Sequence, residues 1–412
     1  VTSPVDVEAV GGHAIVESRP PVETDDQGSL SLFPMIRSGS GMIAGKAASM
    51  ALGFLFWVFA ARMYPEATVG LAAAAISSGM LCIQFALLGT ESAFIALYPH
   101  YAHSPGRLLG TTGALVTMLG ALAGVIFLLL AEWFAKELQA VSHDPLFAAL
   151  FVYLSALGAL GVVVDKVSMA RRRGEELASR NTVNGSLTLL PLGIAFWVDW
   201  QMDASSLFGS WVFGATTAMI LGAWQLSRSP SVYRPRLSFD RKVARQVVRV
   251  GLPNYLLSLA ERAPALILPV LVTEMISVEV NAYWYPVWMM AWGSYVIPSS
   301  LGIALFAEGA HRPDMLRRAV DRAVKTSLLL GAAAIVAGFT LGPLLLTLMG
   351  TAYNDAGTTP LRIMLLAAIP MAFTSAYFAV CRATNRLGEG TAVATFSGLV
   401  SIVAAGVGGA GW

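Results

Sequence analysis

The sequence predicts an all-α, polytopic membrane protein of about 11–12 transmembrane helices in two parallel-repeat lobes of six. Three observations predict it. Of the 412 residues, 56% are hydrophobic and only 13% are charged, which sets the chain apart from soluble globular proteins. Apolar runs recur that reach the roughly 20 residues a helix needs to cross a bilayer. Nearly every Lys and Arg outside those runs falls on alternate loops.

The elements follow in chain order. Residues 1–36 are rich in Pro, Gly, Ser and acids, among them Asp6, Glu8, Glu17, Glu23, Asp25 and Asp26. They lack the basic leader and short apolar core of a secretory signal, so a disordered cytoplasmic tail is expected. The first span, about 40–63, opens behind Arg37-Ser-Gly39, and a turn at Pro65-Glu-Ala leads into the second, about 68–97. The third, about 107–131, follows the loop carrying Arg107; the fourth, about 146–169, follows the longest external loop, Glu132 to Pro145. The basic cluster Arg171, Arg172, Arg173 and Arg180 precedes the fifth and sixth, about 182–198 and 205–227. A long loop with Arg228, Arg234, Arg236, Arg241, Lys242, Arg245 and Arg249 then leads to the seventh, about 250–273.

A turn at Ser277-Val-Glu opens the eighth, about 281–306. Arg312, Arg317, Arg318, Arg322 and Lys325 precede the ninth, about 325–349. The tenth and eleventh, about 358–381 and 391–411, flank Arg382 and Arg386. External linkers are as short as Tyr64–Ala67 and Gly350–Gly357. The opposite set of loops carries only Lys136, so the charge rule places the N-terminus in the cytoplasm.

The halves look related. Arg37-Ser-Gly39 enters the first span as Arg249-Val-Gly251 enters the seventh, and a tight external turn follows in each. An even number of helices per unit makes the second copy enter in the same orientation, the parallel-repeat layout. This divides the chain into an N-terminal six-helix lobe at 37–227, a cytoplasmic linker at 228–249 and a C-terminal lobe at 250–412. The last holds five spans and the sequence stops at Gly411-Trp412, where the layout leads one to expect a twelfth helix to follow.

Catalytic and cofactor signatures are lacking. His143-Asp144 is the one acid–base pair on a sizeable external loop. Gly39-Ser-Gly-Met-Ile-Ala-Gly45-Lys46 imitates a phosphate-binding loop, but its first glycine is out of register and Ala47 replaces the magnesium-holding Ser/Thr. Cys82 and Cys381 lie in or beside spans, with no metal or disulfide spacing. An enzyme is therefore not expected, and neither is a cofactor or a metal.

The run Gly45-Lys46-Ala-Ala-Ser-Met-Ala-Leu-Gly-Phe, then Ala60-Ala61-Arg62-Met-Tyr-Pro65-Glu and Val69-Gly70-Leu71-Ala, resembles the opening helices of Wzx-type polysaccharide flippases. So do Leu87-Leu88-Gly89 with Leu97-Tyr98-Pro99, and Met169-Ala-Arg171-Arg172-Arg173-Gly174 with Arg180-Asn181. These flippases belong to the multidrug/oligosaccharidyl-lipid/polysaccharide (MOP) superfamily. The resemblance covers about residues 37–412 in layout and implies two MATE-like lobes around a central cavity, alternating access, and a polyprenyl-diphosphate-linked oligosaccharide as substrate. It implies a role in cell-surface polysaccharide biosynthesis and a place in a bacterial inner membrane. Expected partners are that lipid-linked oligosaccharide, membrane lipids, a coupling proton or sodium ion, and glycan-assembly proteins; nothing points to nucleic acid.

Ionisable groups inside a bilayer are costly, by about 2.5–3.5 kcal/mol on insertion scales, and each needs a reason. Arg262 lies about 18 Å along the seventh span, near the midplane, beside Glu261. Pro253, Pro264 and Pro269 on the same helix predict a bend or break there. Neighbours point about 100° apart, so one of the two faces the cavity and the other pairs with an adjacent helix; an interhelical ion pair for both is the plain alternative. Lys46, at the repeat counterpart, holds a diphosphate or snorkels to the surface. Arg62 and Arg362 sit near external ends, where snorkelling competes with substrate binding. Asp165-Lys166 reads as a local pair near the cytoplasmic face, and Glu91 either pairs with one of the cations or binds a coupling proton.

Trp284, Trp288, Trp292 and Tyr295 share one face of the eighth span. An interfacial belt explains Trp284 well. It explains Trp292 poorly, and Trp288 and Trp292 form either a sugar-stacking wall or lobe packing. Gly120-x-x-x-Gly124 predicts a close helix contact. Cations in spans (Lys46, Arg62, Lys166, Arg262, Arg362) outnumber the acids Glu91, Asp165 and Glu261. That balance favours an anionic substrate over a cationic one, in keeping with the lipid-linked oligosaccharide that the resemblance implies. An ion-coupled drug or cation antiporter of the same superfamily stays open, as do a membrane enzyme of glycan assembly and a non-transporting scaffold.

Overall fold

The computed structural model describes residues 32–101, 104–171, 173–228, 239–311 and 315–409, with residues 32–47 described by backbone alone. Among the described residues every regular element is a helix: α1 (Leu32–Met63), α2 (Glu66–Ala86), α3 (Thr90–Leu97), α4 (Pro105–Phe134), α5 (Gln139–His143), α6 (Pro145–Ala170) and α7 (Gly174–Trp197). The series continues with α8 (Ala204–Ser227), α9 (Arg241–Met275), α10 (Val278–His311), α11 (Leu316–Met349), α12 (Thr351–Leu366), α13 (Ala368–Ala383) and α14 (Leu387–Gly409). Each predicted span coincides with one helix or a broken pair. Among the described residues, nine of the runs are long and apolar enough to cross a membrane, so this is an all-α, multi-pass membrane protein.

Local chemistry starts several of these helices. The Asp144 carboxylate accepts the Leu146 and Phe147 amides at 2.9 and 3.3 Å, with Pro145 in the first turn, and that caps α6. Asp203 accepts from the Ser206 amide at 2.9 Å to cap α8. Asp240 accepts from the Lys242 and Val243 amides to cap α9. The His143-Asp144 pair is thereby accounted for, since His143 lies 3.3 Å from Glu132.

The packing pairs repeat. In the first half α1 packs on α7 and α4 on α6; in the second, α9 packs on α14 and α11 on α12. Gly120 and Gly124 make the α4–α6 contact close, as expected: a Cβ on Gly120 would lie 2.5 Å from the Ser155 carbonyl oxygen. At the centre stands α2, with 78% of its apolar window buried, against 11–39% for the others. Its run Ala72–Ala75, Ser77, Ser78 and Gly79 is narrow enough for neighbours on all sides. It packs on α4, α6 and α8 of its own half and on α9 and α10 across the divide. The largest core cluster joins both halves there, with Phe56, Trp57, Phe151, Phe208 and Tyr285 fully buried.

Four expectations change. The helix α1 begins at Leu32, so residues 32–36 belong to it; residues 1–31 of the expected tail lie outside the described residues. Residues 39–46, already set aside as a phosphate-binding loop on register and on Ala47, are helical backbone and change no expectation. The helix α9 starts at Arg241, earlier than expected, and α12 absorbs most of the Gly350–Gly357 linker. Finally, α9 runs unbroken through Pro253, Pro264 and Pro269. Membrane helices tolerate prolines where neighbouring helices cover the freed carbonyls, and α9 is packed by α2, α3, α10 and α14. The break falls opposite, in the second span, where Leu88 and Gly89 adopt φ of 41° and 81° between α2 and α3.

Candidate functional site

The interruption at Leu87–Gly89 builds the site. A helix that ends at Ala86 leaves its last carbonyls without amide donors. The Tyr255 hydroxyl, on α9, donates to two of them, Gln84 O at 3.2 Å and Phe85 O at 3.0 Å. Just beyond, Gly89 and Gly251 meet backbone to backbone: a Cβ on Gly251 would lie 2.2 Å from Gly89 O. The left-handed turn then redirects the chain so that α3 presents Glu91 to both halves.

Glu91 is held by two cations from different helices. One carboxylate oxygen lies 3.3 Å from Lys166 Nζ on α6, the other 3.6 Å from Arg262 Nη1 on α9. Arg262 also donates to Gln84 Oε1 at 3.3 Å, toward the negative end of the α2 dipole. Its side chain is 49% exposed, whereas Glu91 and Lys166 are 23% and 20% exposed. Two cations thus share one carboxylate at moderate distances, and the guanidinium keeps free donors. Such a cluster carries net positive charge and can accept a further anion.

Glu261 points elsewhere, as the 100° offset requires: it accepts from Arg382 on α13 at 2.6 Å, within the second half. Asp165 and Lys166 also serve different partners. Asp165 accepts from Arg180 at 2.8 and 3.2 Å, and Arg180 continues to Gln225 and Ser168. Asp165 and Lys166 stay within electrostatic reach of each other, but each makes its closest contact on another helix, because adjacent residues of α6 face different helices.

The other expected residues lie apart from this cluster. Arg62 donates to the Thr347 and Leu348 carbonyls at 2.9 and 2.6 Å, capping the end of α11 from the other half. Arg362 lies over the Phe339 ring at 5.6 Å. The side chain of Lys46 lies outside the described residues. Trp284, Trp288 and Trp292 stack in sequence at 6.4 and 5.5 Å, and Tyr295 donates to Met364 O. Trp288 also packs on the central core beside Tyr285, which meets Trp57 of α1 at 5.0 Å.

Contacts between the halves gather at two levels. At the end with the arginine-rich loops are Gly89–Gly251, Tyr101 with Gln246 at 2.9 Å, and Arg107 with Asp240. At the opposite end Gly70 lies against Val278, and Asn281 Nδ2 donates to Gly70 O at 3.0 Å. There too Glu274, on α9, accepts the Glu137 and Leu138 amides at 3.2 and 3.1 Å. Reasoning from sequence missed Gln84, Tyr255 and the glycine pair; Gly89 and Gly251 were visible only as motif members.

No protein-family profile matches the sequence, and no curated protein matches it by sequence. Solved structures do match. An outward-facing MATE multidrug-resistance transporter of the MOP superfamily aligns with a TM-score of 0.63 at 14% identity, over 89% of this chain and 85% of that one. The lipid II flippase MurJ, in an inward closed conformation, aligns with a TM-score of 0.65 at 10% identity, over 90% and 85%. A MOP-superfamily transporter from Pyrococcus furiosus, described as having a binding pocket of reverse polarity, aligns at 0.54 and 14%, over 91% and 94%. The chain therefore has the fold of the MOP-superfamily transporters.

Proposed function

We propose that the protein is a transporter that moves a polyprenyl-diphosphate-linked oligosaccharide across a bacterial inner membrane, with its N-terminus in the cytoplasm. The observation that carries this is the net-cationic cluster of Arg262 and Lys166 around Glu91, set where the two halves meet. A diphosphate head group loses hydration on entering a membrane protein, and two cations with free donors offset that loss. The two levels of contact between the halves suit alternating access, in which one level opens while the other holds. No covalent step is needed, so the protein is not assigned as an enzyme. A drug or cation antiporter would be better served by a free carboxylate; here Glu91 is held by two cations and Glu261 by Arg382.

The test is flipping in proteoliposomes loaded with a fluorescent polyprenyl-diphosphate oligosaccharide, read by a membrane-impermeant quencher. Protein-dependent exposure that collapses in Arg262→Ala supports the reading. Proton- or sodium-driven export of organic cations with no glycan flipping moves the protein to the antiporter class.

A further inference from the structure

Between the two halves a cleft of about 820 Å³ opens at the apolar surface of the protein. Its floor is Leu81, Cys82 and Phe85 of α2; one wall is α4 from Ala123 to Phe134, and the other is α9 from Ile267 to Met275. The α4 wall spans about 16 Å at 1.5 Å per residue, so the cleft runs from mid-depth to the end away from the arginine-rich loops. Apart from its mouth it is apolar, with Phe85, Ile126, Leu130 and Phe134 partly exposed to the bilayer.

Two charged residues stand at the mouth, Lys136 and Glu274. They are not equivalent. Glu274 is engaged by the amides of Glu137 and Leu138, which tie α9 to the loop after α4. Lys136 is exposed and has no carboxylate partner among the described residues. It is also the sole cation the sequence places on that set of loops. An apolar trough with an exposed ammonium at its mouth suits an amphiphile whose hydrocarbon chain ends in an anionic group, such as a phosphate.

We propose that this cleft seats the hydrocarbon tail of the transported lipid in the outer leaflet, with Lys136 pairing to its phosphate. Phosphate and chain would dock along α4 and α9, the two helices that must shift against each other when the halves rock. The identity of the lipid rests on the transport reading above; the existence of the seat does not.

The test uses the full chain in proteoliposomes with a polyprenyl phosphate bearing a diazirine in its tail. Photolabelling is expected on peptides covering 123–134 and 267–275, competed by unlabelled polyprenyl phosphate and not by phosphatidylglycerol. Lys136→Ala should lower it at least about fivefold and Lys136→Arg should preserve it. Ala123→Phe, which fills the trough, should abolish labelling without changing the elution profile or melting. Labelling spread evenly over the lipid-facing helices, or unchanged in both Lys136→Ala and Ala123→Phe, overturns the proposal. So does equal competition by phosphatidylglycerol, which would make the cleft a general phospholipid groove. Confined labelling without glycan flipping would keep the seat and remove the transport reading; flipping without confined labelling would do the reverse.

Discussion

Gly89 and Gly251 lie backbone against backbone, the first in the left-handed turn between α2 and α3, the second on α9. A methyl group on Gly251 would stand 2.2 Å from the Gly89 carbonyl oxygen, and the obstacle is backbone, which cannot rotate away. Gly251→Ala should therefore push the halves apart at the arginine-rich end, with a loss of about 1–3 kcal/mol as in other overpacked sites. Thermal melting in detergent checks this. An unchanged melting temperature would mean that the halves already separate there at no cost. Gly89→Ala should be worse, because φ of 81° adds backbone strain to the collision.

Glu91 pairs with Lys166 and Arg262, so under the transport reading proposed above it occupies the place an incoming anion would take. Replacing it with Gln removes the competing charge while keeping the shape. A unit charge about 4 Å away is worth up to about 4 kcal/mol at an effective dielectric of 20. Titration with inorganic pyrophosphate should show affinity rising at least about tenfold in Glu91→Gln, or about 1.4 kcal/mol, and falling in Lys166→Ala. Equal affinities in wild type and Glu91→Gln would show that Glu91 and the anion do not share a seat.

The span pattern was legible in the sequence because length and hydropathy are local properties that each helix carries by itself. Loop charge and the Gly120–Gly124 spacing were legible for the same reason. The centre of the site was only half legible. Arg262 and Glu91 stood out because charge in a bilayer needs a reason, but their pairing depends on a turn at Leu88–Gly89 that hydropathy does not register. The three prolines of α9 predicted a bend or a break; the helix is continuous, and the break lies instead in the second span, since neighbours that cover freed carbonyls lie far away in sequence. Asp165 and Lys166 looked like a pair because they are adjacent. On a helix, adjacency separates side chains by about 100°, and each found its partner elsewhere.

Glu261 and Arg382 form a different kind of ion pair from Glu91's. Their 2.6 Å contact lies within the second half, with side chains 23% and 21% exposed. It should be structural. Glu261→Ala strands Arg382 with its charge largely out of water, a situation that costs about 3–5 kcal/mol when such a pair is broken. Expression and melting should suffer in Glu261→Ala and recover in the Glu261→Ala, Arg382→Met double variant. Pyrophosphate affinity should stay unchanged in the double variant, which separates this pair from the Arg262 cluster. A drop in affinity there would bring Glu261 into the binding site.

Asp240 offers a pH-dependent contact outside the membrane spans. The Arg107 guanidinium donates to its carboxylate, and the amides of Lys242 and Val243 do so as well; together they hold Asp240 below the usual carboxylate range. The pair joins the start of α4 to the start of α9, so it fastens the two halves at the arginine-rich end. A depressed carboxylate contributes stability that is complete above its unfolded value, about 3.9, and disappears as pH falls through the lower folded value. The melting difference between wild type and Asp240→Asn should therefore be constant from about pH 5 upward and shrink only in stronger acid. The Asp240 side chain is partly exposed and that of Arg107 is exposed, so the pair is screened and high salt should shrink the same difference at neutral pH. A difference that persisted below pH 3, or that ignored salt, would show that the charge pair with Arg107 is not its source; the cap itself is kept in this variant, since Asn caps a helix about as well as Asp.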